Sequence, residues 1–372
     1  MDLNELRQQI DLIDNDILEK FQKRMDLCLE VAEYKKKNNV GILQSSREQD
    51  IINRVTALSE DKYKDSAAVL FSNLMDISKN YQQNEINKGK SFIEKAPLEI
   101  SDNSKVGCYG VAGSNSEEAT RMFFGKEKEI LFFSEFEDIF RAVDEGRIDF
   151  GVVPLQNSST GSITQTYDLM RKYNVYINKM IRVSIKHCLA SKNADKISKI
   201  EGVYSHPQAI MQCSEFISKN NLSAVEYAST ATSAEYVSKS DKKISAICSE
   251  YCAELYGLNV LARDISNDAE NFTRFICISK NFAVEQGADI ISLQLAIPNE
   301  KGSLYKLLTK FSVSGLNLLK LESRPRHEGN FDVVFYLDFE GTISDERINA
   351  LLIQLEKETT DFKFLGNYSE LQ

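Results

Sequence analysis

The first 83 residues carry apolar side chains at steps of three and four, which is the spacing of one face of an α-helix. The pattern predicts three helices, over residues 3–38, from Ser46 onward, and over residues 66–83. Ser46 and Gln49 have the spacing of a capping box, which places the start of the second helix. This segment therefore predicts an all-α helical N-terminal domain.

Residues 84–104 are polar and contain glycine, proline and serine, as a linker does. From Lys105 onward, short apolar runs alternate with helical stretches, which predicts an α/β central domain with a largely parallel sheet. The predicted strands are residues 130–133, 150–153, 203–204, 244–248 and 275–278. The predicted helices are residues 117–124, 136–145, 207–218, 230–239 and 249–256. Sites in such folds form beyond the carboxyl ends of the strands.

After about residue 281 the pattern changes again, to an order of strand, helix, two strands, helix and strand. The predicted elements are residues 290–297, 302–313, 316–324, 331–339, 344–357 and 362–368. This order predicts a ferredoxin-like α+β C-terminal domain. We therefore expect a multidomain chain, with domains at residues 1–86, 105–280 and 289–372 and a linker at residues 87–104.

Charge and cysteine usage narrow the class of ligand. A net charge of −10 and a pI near 5.1 argue against binding to nucleic acid or to an anionic membrane surface. The seven cysteines are scattered without a CxxC motif and only three histidines occur, so no metal site is expected. The polar loops lack the spacing of a dinucleotide or P-loop fingerprint, so no other cofactor is expected. No apolar run is long enough to span a membrane. The charged Asp2 and Glu5 do not fit a secretory signal, and we expect a cytoplasmic protein.

Two cations of the first predicted helix lie on its apolar face. Arg24 and Lys35 are eleven residues apart, close to three full turns, and could grip a small dianion between them. Arg7 lies roughly 25 Å from Arg24 along the same helix and can reach the same ligand only from a partner chain. The alternative is that these side chains snorkel from a coiled-coil-like helix.

The set of polar residues on the three helices resembles the all-helical chorismate mutases. The residues that carry the resemblance are Arg7, Arg24, Lys35, Arg47, Glu48, Ser78 and Gln82. It implies an intertwined homodimer in which arginines hold the substrate carboxylates, with Lys35 and Gln82 beside the ether oxygen. Where the family commonly has an aspartate, this chain has Gln44, a weaker partner for a substrate hydroxyl, which predicts reduced mutase activity.

Four small or polar segments, at residues 110–116, 154–162, 204–208 and 271–275, follow or interrupt apolar runs in the central region. Such segments can converge on one cleft that binds small polar anions. The last segment places the cationic Arg274 inside an apolar strand, which is unfavourable unless an anion compensates it. The alternative is an edge strand whose arginine points into water.

These four segments resemble, in order and interval, the prephenate dehydratases over residues 105–280. The resemblance implies two α/β lobes with the site between them, Thr273 as the candidate catalytic residue and Arg274 as a carboxylate partner. Substrate-binding roles follow for Ser114, Ser116, Asn157, Ser158, Thr160, Ser205 and Gln212. The family usually has a glutamate where this chain has Gln156, so no catalytic carboxylate is expected there. His206, before a proline at a helix start, is interpreted as structural.

The C-terminal region resembles the amino-acid-binding modules called ACT domains. The resemblance rests on two segments that in dehydratases bind phenylalanine at a dimer interface. The effector-binding residues it implies are Gly302, Ser303, Leu304, Glu322, Ser323 and Arg324. A helix N-terminus opened by a glycine can receive a carboxylate on its free N–H groups.

The whole chain is thus interpreted as a bifunctional chorismate mutase–prephenate dehydratase inhibited by phenylalanine and assembled as a homodimer or a dimer of dimers. Its substrates are chorismate and prephenate. Two alternatives stay open: a prephenate dehydratase with a weak or inactive mutase domain, and a non-catalytic sensor of small anions. Supplying chorismate and measuring prephenate and phenylpyruvate distinguishes the three.

Overall fold

A computed structural model describes residues 2–38, 45–268, 270–325 and 333–371. The chain forms two compact units. The first unit joins Met1–Glu94 to Asp289–Phe364, and the second joins Lys95–Ala288 to Leu365–Gln372. The last residues of the chain therefore belong with the central region and not with the C-terminal module that precedes them.

Three helices begin the first unit. They are α1 (Leu3–Asn38), α2 (Ser45–Leu58) and α3 (Lys64–Asn87). Helix α3 packs against both of the others, and Met25, Ala32 and Met75 are buried between the helices. The three helices predicted from the apolar spacing are confirmed, and α3 extends four residues further than predicted because its polar last turn lacks the apolar pattern.

The second unit contains two lobes, each built on a mixed sheet. Its strands up to residue 279 are β1 (Val106–Tyr109), β2 (Ile130–Phe133), β3 (Phe150–Asn157), β4 (Gly161–Ser162), β5 (Tyr176–Ser184), β6 (Cys188–Ser191), β7 (Gly202–Ser205), β8 (Ala224–Glu226), β9 (Ile244–Cys248), β10 (Asn259–Ala262) and β11 (Phe272–Ser279). Its helices are α4 (Asn115–Phe124), α5 (Phe136–Asp144), α6 (Thr164–Lys172), α7 (Pro207–Gln212), α8 (Ser214–Lys219), α9 (Thr230–Lys239) and α10 (Glu250–Leu255).

The first lobe holds β1 to β5 and β11, and the second lobe holds β6 to β10. In the first lobe β1 runs parallel to β2 and β3, but β11 runs antiparallel to β3 and β5. In the second, β7 is parallel to β8 and β9, whereas β6 is antiparallel to β9 and β10. The expectation of a largely parallel sheet is wrong, because the chain leaves the first lobe after β5 and returns to it as β11.

The C-terminal module of the first unit follows the predicted order of elements. They are β12 (Ile290–Ala296), α11 (Ser303–Val313), β13 (Leu318–Pro325), β14 (Val333–Glu340), α12 (Glu346–Glu358) and β15 (Thr360–Tyr368). The end of β15, from Leu365 onward, falls in the second unit. The sheet order is β13-β14-β12-β15, with β14 antiparallel to β12 and to β13. Helices α11 and α12 pack against α3 within the same unit.

A short last strand, β16 (Glu370–Leu371), joins the edge of the first-lobe sheet and runs parallel to β5. The sequence pattern did not predict it, since two residues are too few for periodicity. None of the described helices combines the length and the apolar content that crossing a bilayer requires.

Candidate active sites

The first site lies on the three N-terminal helices, where Arg24 of α1 reaches α3. Its Nη1 donates to the carbonyl oxygen of Leu74 at 3.0 Å and to the Oγ of Ser78. Gln82 follows Ser78 by one turn of α3 and is buried. Its Oε1 has no hydrogen-bond partner among the described residues. A buried amide with an unmet bond is unfavourable by about 1–3 kcal/mol, so this position suits a polar ligand.

Charged residues of α1, α2 and α3 border the same site. The Oε2 of Glu48 accepts from the Nζ of Lys79 at 3.1 Å, and Lys79 also pairs with Asp76 at 2.7 Å. Burial lowers the pKa of Lys79, but its pairs with Asp76 and Glu48 outweigh burial and raise the pKa overall. Burial lowers the pKa of Lys35, and the charges of Cys28 and Glu48 oppose this shift. The sequence interpretation had not singled out Lys79, although it lies directly after Ser78.

The structure thus brings Arg24 into contact with Ser78, one helical turn before Gln82, and places Lys35 within the electrostatic reach of Glu48. Arg7 and Arg47 are both exposed. Gln44 lies outside the described residues.

The second site is a cleft of about 810 Å³ whose lining comes from both lobes of the second unit. Six of the residues predicted from sequence line it: Ser114, Ser116, Asn157, Thr160, Gln212 and Thr273. Among the described residues that line the cleft there is no Asp, Glu, Lys or Arg. An anionic ligand would therefore meet hydroxyl, amide, imidazole and backbone groups without a lysine or arginine side chain.

A hydrogen-bonded pair, Asn157 and Thr273, forms one wall of the cleft. The two residues are opposite each other in the register of β3 and β11. Asn157 Nδ2 donates to Thr273 Oγ1 at 2.9 Å and to Asn271 Oδ1 at 2.8 Å. Asn157 Oδ1 accepts from the backbone N–H groups of Ser159 and Thr160, at 3.0 and 3.1 Å. Because Thr273 accepts here, its own O–H is available to donate to a ligand.

Three helix starts meet at the cleft. Ser114 caps α4 by accepting from Glu117 N at 3.2 Å, and Ser229 caps α9 in a capping box with Thr232. His206 caps α7, its Nδ1 accepting from Gln208 N at 3.2 Å, which agrees with the structural interpretation of this histidine. Helix N-termini carry partial positive charge and free N–H groups. Sequence reasoning missed residues 229–232, because they read as the start of an ordinary helix.

His187 is a second residue that sequence reasoning missed, since it stands outside the four polar segments. It lines the cleft with only 4% of its surface exposed. Burial lowers the pKa of its imidazole, against the opposing hydrogen bond with Gln212. Because Gln212 Oε1 lies 3.1 Å from His187 Nε2, the neutral ring carries its proton on Nε2 and donates it to Gln212. The Gln212 amide group is thereby oriented.

Three predicted residues do not line the cleft. Ser205 is fully buried and donates to the carbonyl oxygen of Ile247 at 2.7 Å. Ser158 Oγ accepts from Phe272 N at 2.9 Å and secures the loop after β3. Arg274 follows Thr273 on β11 and therefore projects from the opposite face of the strand. There it pairs with Glu370 at 2.7 Å, so the expected contact between Arg274 and a substrate carboxylate is not supported by this geometry.

In the C-terminal module, the two predicted effector segments lie at the start of α11 and the end of β13. Gly302 is the N-cap of α11 with φ of 83°, a left-handed conformation that favours glycine. Ser303 and Leu304 form the first turn of that helix. On β13, Glu322 Oε1 accepts from Arg324 Nη2 at 2.6 Å, and Ser323 between them is exposed.

Comparison with known proteins matches one enzyme family to each of the two regions that carry these sites. The family model for chorismate mutase type II matches residues 6–83, and that for prephenate dehydratase matches residues 106–283. A bifunctional chorismate mutase/prephenate dehydratase of Aquifex aeolicus (strain VF5) is 33% identical over 99% of this chain and 98% of that protein. The protein of the same name in Escherichia coli (strain K12) is 30% identical over 98% of this chain and 95% of its own length.

A solved structure extends the agreement to the fold. Prephenate dehydratase from Arthrobacter aurescens, in complex with L-Phe, matches with a TM-score of 0.65 and 27% sequence identity, covering 71% of this chain and 90% of that one. With both family models matched in order and relatives aligned over nearly the full length, the chain belongs to the family of bifunctional chorismate mutase/prephenate dehydratases.

Proposed function

We propose that the residues of the helical site rearrange chorismate to prephenate and that the cleft of the second unit converts prephenate to phenylpyruvate. The observation that carries the second assignment is the Asn157–Thr273 pair, which leaves a buried hydroxyl donor facing an uncharged cleft. For the first, it is the contact of Arg24 with Ser78, one turn before the buried Gln82, whose amide oxygen has no partner among the described residues.

The mutase reaction is an intramolecular rearrangement that needs neither a nucleophile nor a general base. Holding the compact conformer and stabilising charge on the breaking ether oxygen are sufficient in kind. Arg24 and Arg47 hold the carboxylates, together with Arg7 of a partner subunit, while Glu48 and Ser78 bind the substrate. Lys35 donates to the ether oxygen from Nζ and Gln82 from Nε2, which leaves Gln82 Oε1 to accept from the ligand.

In the dehydratase reaction the bond between the ring and a carboxylate breaks, and carbon dioxide leaves. The released electron pair completes the aromatic ring as the ring hydroxyl departs and is protonated to water. Thr273 donates a hydrogen bond to that hydroxyl, with Asn157 fixing the orientation of its oxygen. A threonine hydroxyl is a weak acid, so its role is hydrogen-bond donation within a polar network.

The uncharged lining of the cleft fits a decarboxylation. The carboxylate that is lost has no cationic side chain among the described lining residues, so its charge is not held in place. Charge that disperses into the ring in the transition state is then favoured over charge fixed on the carboxylate. The starts of α4 and α9 bind the substrate with N–H groups and partial charges.

The C-terminal module acts as a ferredoxin-like ACT domain that binds phenylalanine and inhibits the dehydratase. Support comes from its β-α-β-β-α-β order and from the left-handed Gly302 at the start of α11. The L-Phe complex of the Arthrobacter aurescens dehydratase supports the choice of effector. The effector site comprises Gly302–Leu304 and Glu322–Arg324. Equilibrium dialysis with labelled phenylalanine tests it: wild type should bind, and Gly302→Val should not.

A homodimer, alone or paired into a dimer of dimers, is the assembly that the exposed surfaces support. On the first half of α1, Leu6, Ile10, Ile13 and Ile17 form one apolar stripe and are 43–60% exposed. An apolar helix face of this length is covered in stable proteins, and a second copy of the same helix fits it. Mixed dimers of Arg7→Ala and Arg24→Ala chains should recover mutase activity, because one site per dimer then escapes both changes.

A dehydratase with a weak mutase domain is the second candidate, favoured by Gln44 in place of the family's usual aspartate. Supplying chorismate to the purified enzyme separates the candidates. The proposed function predicts that phenylpyruvate appears after a transient of prephenate. Conversion of added prephenate without conversion of chorismate would support the second candidate, and conversion of neither would contradict both.

A further inference from the structure

The final residues of the chain complete the first lobe of the second unit. Strand β16 pairs with β5, with Glu370 opposite Met180 and Leu371 opposite Ile181. Met180 N donates to the carbonyl oxygen of Ser369 at 3.1 Å. Leu371 packs against the buried apolar cluster of the same lobe, which includes Phe275 of β11. The tail is therefore an integral edge of the sheet that carries Thr273.

Glu370 holds Arg274 with two hydrogen bonds. Arg274 Nε donates to Oε1 at 2.7 Å and Nη2 donates to Oε2 at 3.2 Å, the fork geometry in which arginine binds a carboxylate most firmly. Arg274 Nη1 also lies 3.4 Å from Gln156 Oε1. Gln156 precedes Asn157 on β3, just as Arg274 follows Thr273 on β11. On the face of β3 and β11 that points away from the cleft, Arg274 thus links the two strands beside the positions of Asn157 and Thr273.

Two features of the sheet around Arg274 make its geometry sensitive to the ion pair with Glu370. Arg274 is directly opposite Arg182 on β5, and adjacent like charges destabilise a strand pair unless an anion compensates them. The register of β11 and β3 also shifts between Arg274 and Phe275, as at a β-bulge. Bulges redirect side chains and leave the backbone locally less constrained. Glu370 supplies both the compensating charge and the constraint.

We propose that Glu370 is a positioning residue for the dehydratase. Acting through Arg274, it fixes the end of β11 so that Thr273 meets Asn157 and the substrate. The proposal rests on the role assigned to Thr273 under the proposed function. Arg274 then has a structural role on the face of β11 opposite the cleft and does not bind substrate.

The test uses the full-length enzyme and the Glu370→Gln variant, which keeps the size of the side chain and removes its charge. Misplacement of a reacting group by a fraction of an ångström lowers rates by about tenfold or more. We expect kcat for phenylpyruvate to fall about tenfold, KM for prephenate to change less than about twofold, and mutase activity to stay constant. Glu370→Asp should restore part of kcat.

The matched control is Glu250→Gln, which removes an exposed carboxylate paired with Arg263 at 3.1 Å in the same unit. Its kcat should equal that of wild type. Arg274→Gln and the double variant Arg274→Gln, Glu370→Gln complete a double-mutant cycle. If Glu370 acts through Arg274, kcat of the double variant is no lower than kcat of Arg274→Gln. Arg274→Lys, which keeps the charge and loses the fork, provides a second variant if Glu370→Gln fails to fold.

A kcat within twofold of wild type in Glu370→Gln, or multiplicative losses in the double variant, would overturn the proposal. So would a rise of KM without a fall of kcat in Arg274→Gln, which would return Arg274 to substrate binding. Thr273→Val is measured in parallel. Full activity in that variant removes the assigned role of Thr273, whereas the Glu370 and Arg274 cycle still reports whether the tail controls kcat.

Discussion

The helical site carries the cations Arg24 and Lys35 of α1, whereas no Asp, Glu, Lys or Arg side chain lies among the described residues that line the cleft. Both sites serve dianionic substrates in one chain, so net charge of the ligand does not determine which groups bind it. The difference follows the chemistry. A rearrangement that builds charge on an ether oxygen gains from fixed cations, while a decarboxylation gains from a site that does not hold the carboxylate charge.

The largest expected effect is on the rate of chorismate conversion and tests the role of cations in the helical site. Arg24→Ala removes a cation that contacts Leu74 and Ser78, and losing such a charge partner should raise the barrier by roughly 2–5 kcal/mol. Chorismate conversion should nearly disappear, and conversion of added prephenate should not change. The control is Lys23→Ala, an exposed cation beside it on α1. Mutase turnover within about threefold of wild type would show that the helical site is misassigned.

The next effect is on kcat/KM for prephenate and tests the uncharged lining of the cleft. Gln212→Glu introduces a carboxylate into the cleft, where it would repel the substrate dianion, and like charges at close range cost about 1–3 kcal/mol or more. kcat/KM for prephenate should fall by roughly tenfold to a hundredfold. Gln212→Met, similar in size and neutral, separates charge from loss of the hydrogen bond. Equal losses of kcat/KM in the two variants would mean that the absence of acidic side chains from the cleft lining does not matter for catalysis.

The smallest effect is on stability and concerns pH. Burial lowers the pKa of His187, so the folded protein binds the proton less readily than the unfolded chain, whose histidine titrates near 6.5. The neutral ring thus contributes stability that is complete above about pH 6.5 and declines as pH falls toward the lowered pKa. Thermal unfolding of the second unit should show this loss in wild type, and His187→Gln should reduce it. An unchanged pH profile in that variant would contradict the assignment.

Much of this arrangement could be predicted from the sequence, because the spacing of apolar residues indicates which face of a helix or strand is buried. The three N-terminal helices follow from apolar spacing, which also placed Arg24 on the apolar face of α1. Ser78, which Arg24 contacts, and Gln82 were implied only by the resemblance to the chorismate mutases. The polar segments that contain Asn157 and Thr273 were identified from the sequence pattern, whereas the roles of these two residues came from the resemblance to the prephenate dehydratases. The first lobe's mixed strand directions were not predicted, since they depend on the return of β11 to this sheet, and long-range pairing leaves no local pattern.

The errors share a physical cause, which is that side-chain direction and long-range pairing do not appear in local composition. Arg274 was expected beside Thr273 in the cleft, yet neighbours on a strand face opposite sides. Its partner Glu370 lies 96 residues away on a two-residue strand. For the same reason the C-terminal module cannot be deleted cleanly, because removing everything after residue 288 also removes β16 from the catalytic lobe.

The most direct test of the account is the rate of phenylpyruvate formation in Thr273→Val, compared with Thr273→Ser. Valine keeps the shape of the side chain and removes the hydroxyl that Asn157 orients, whereas serine keeps the hydroxyl. We expect a fall of roughly 10²–10⁴-fold in kcat for the valine variant and a much smaller loss for serine. Prephenate should accumulate from chorismate in the valine variant, since the mutase continues to work. Phenylpyruvate formation at the wild-type rate in Thr273→Val would contradict the account.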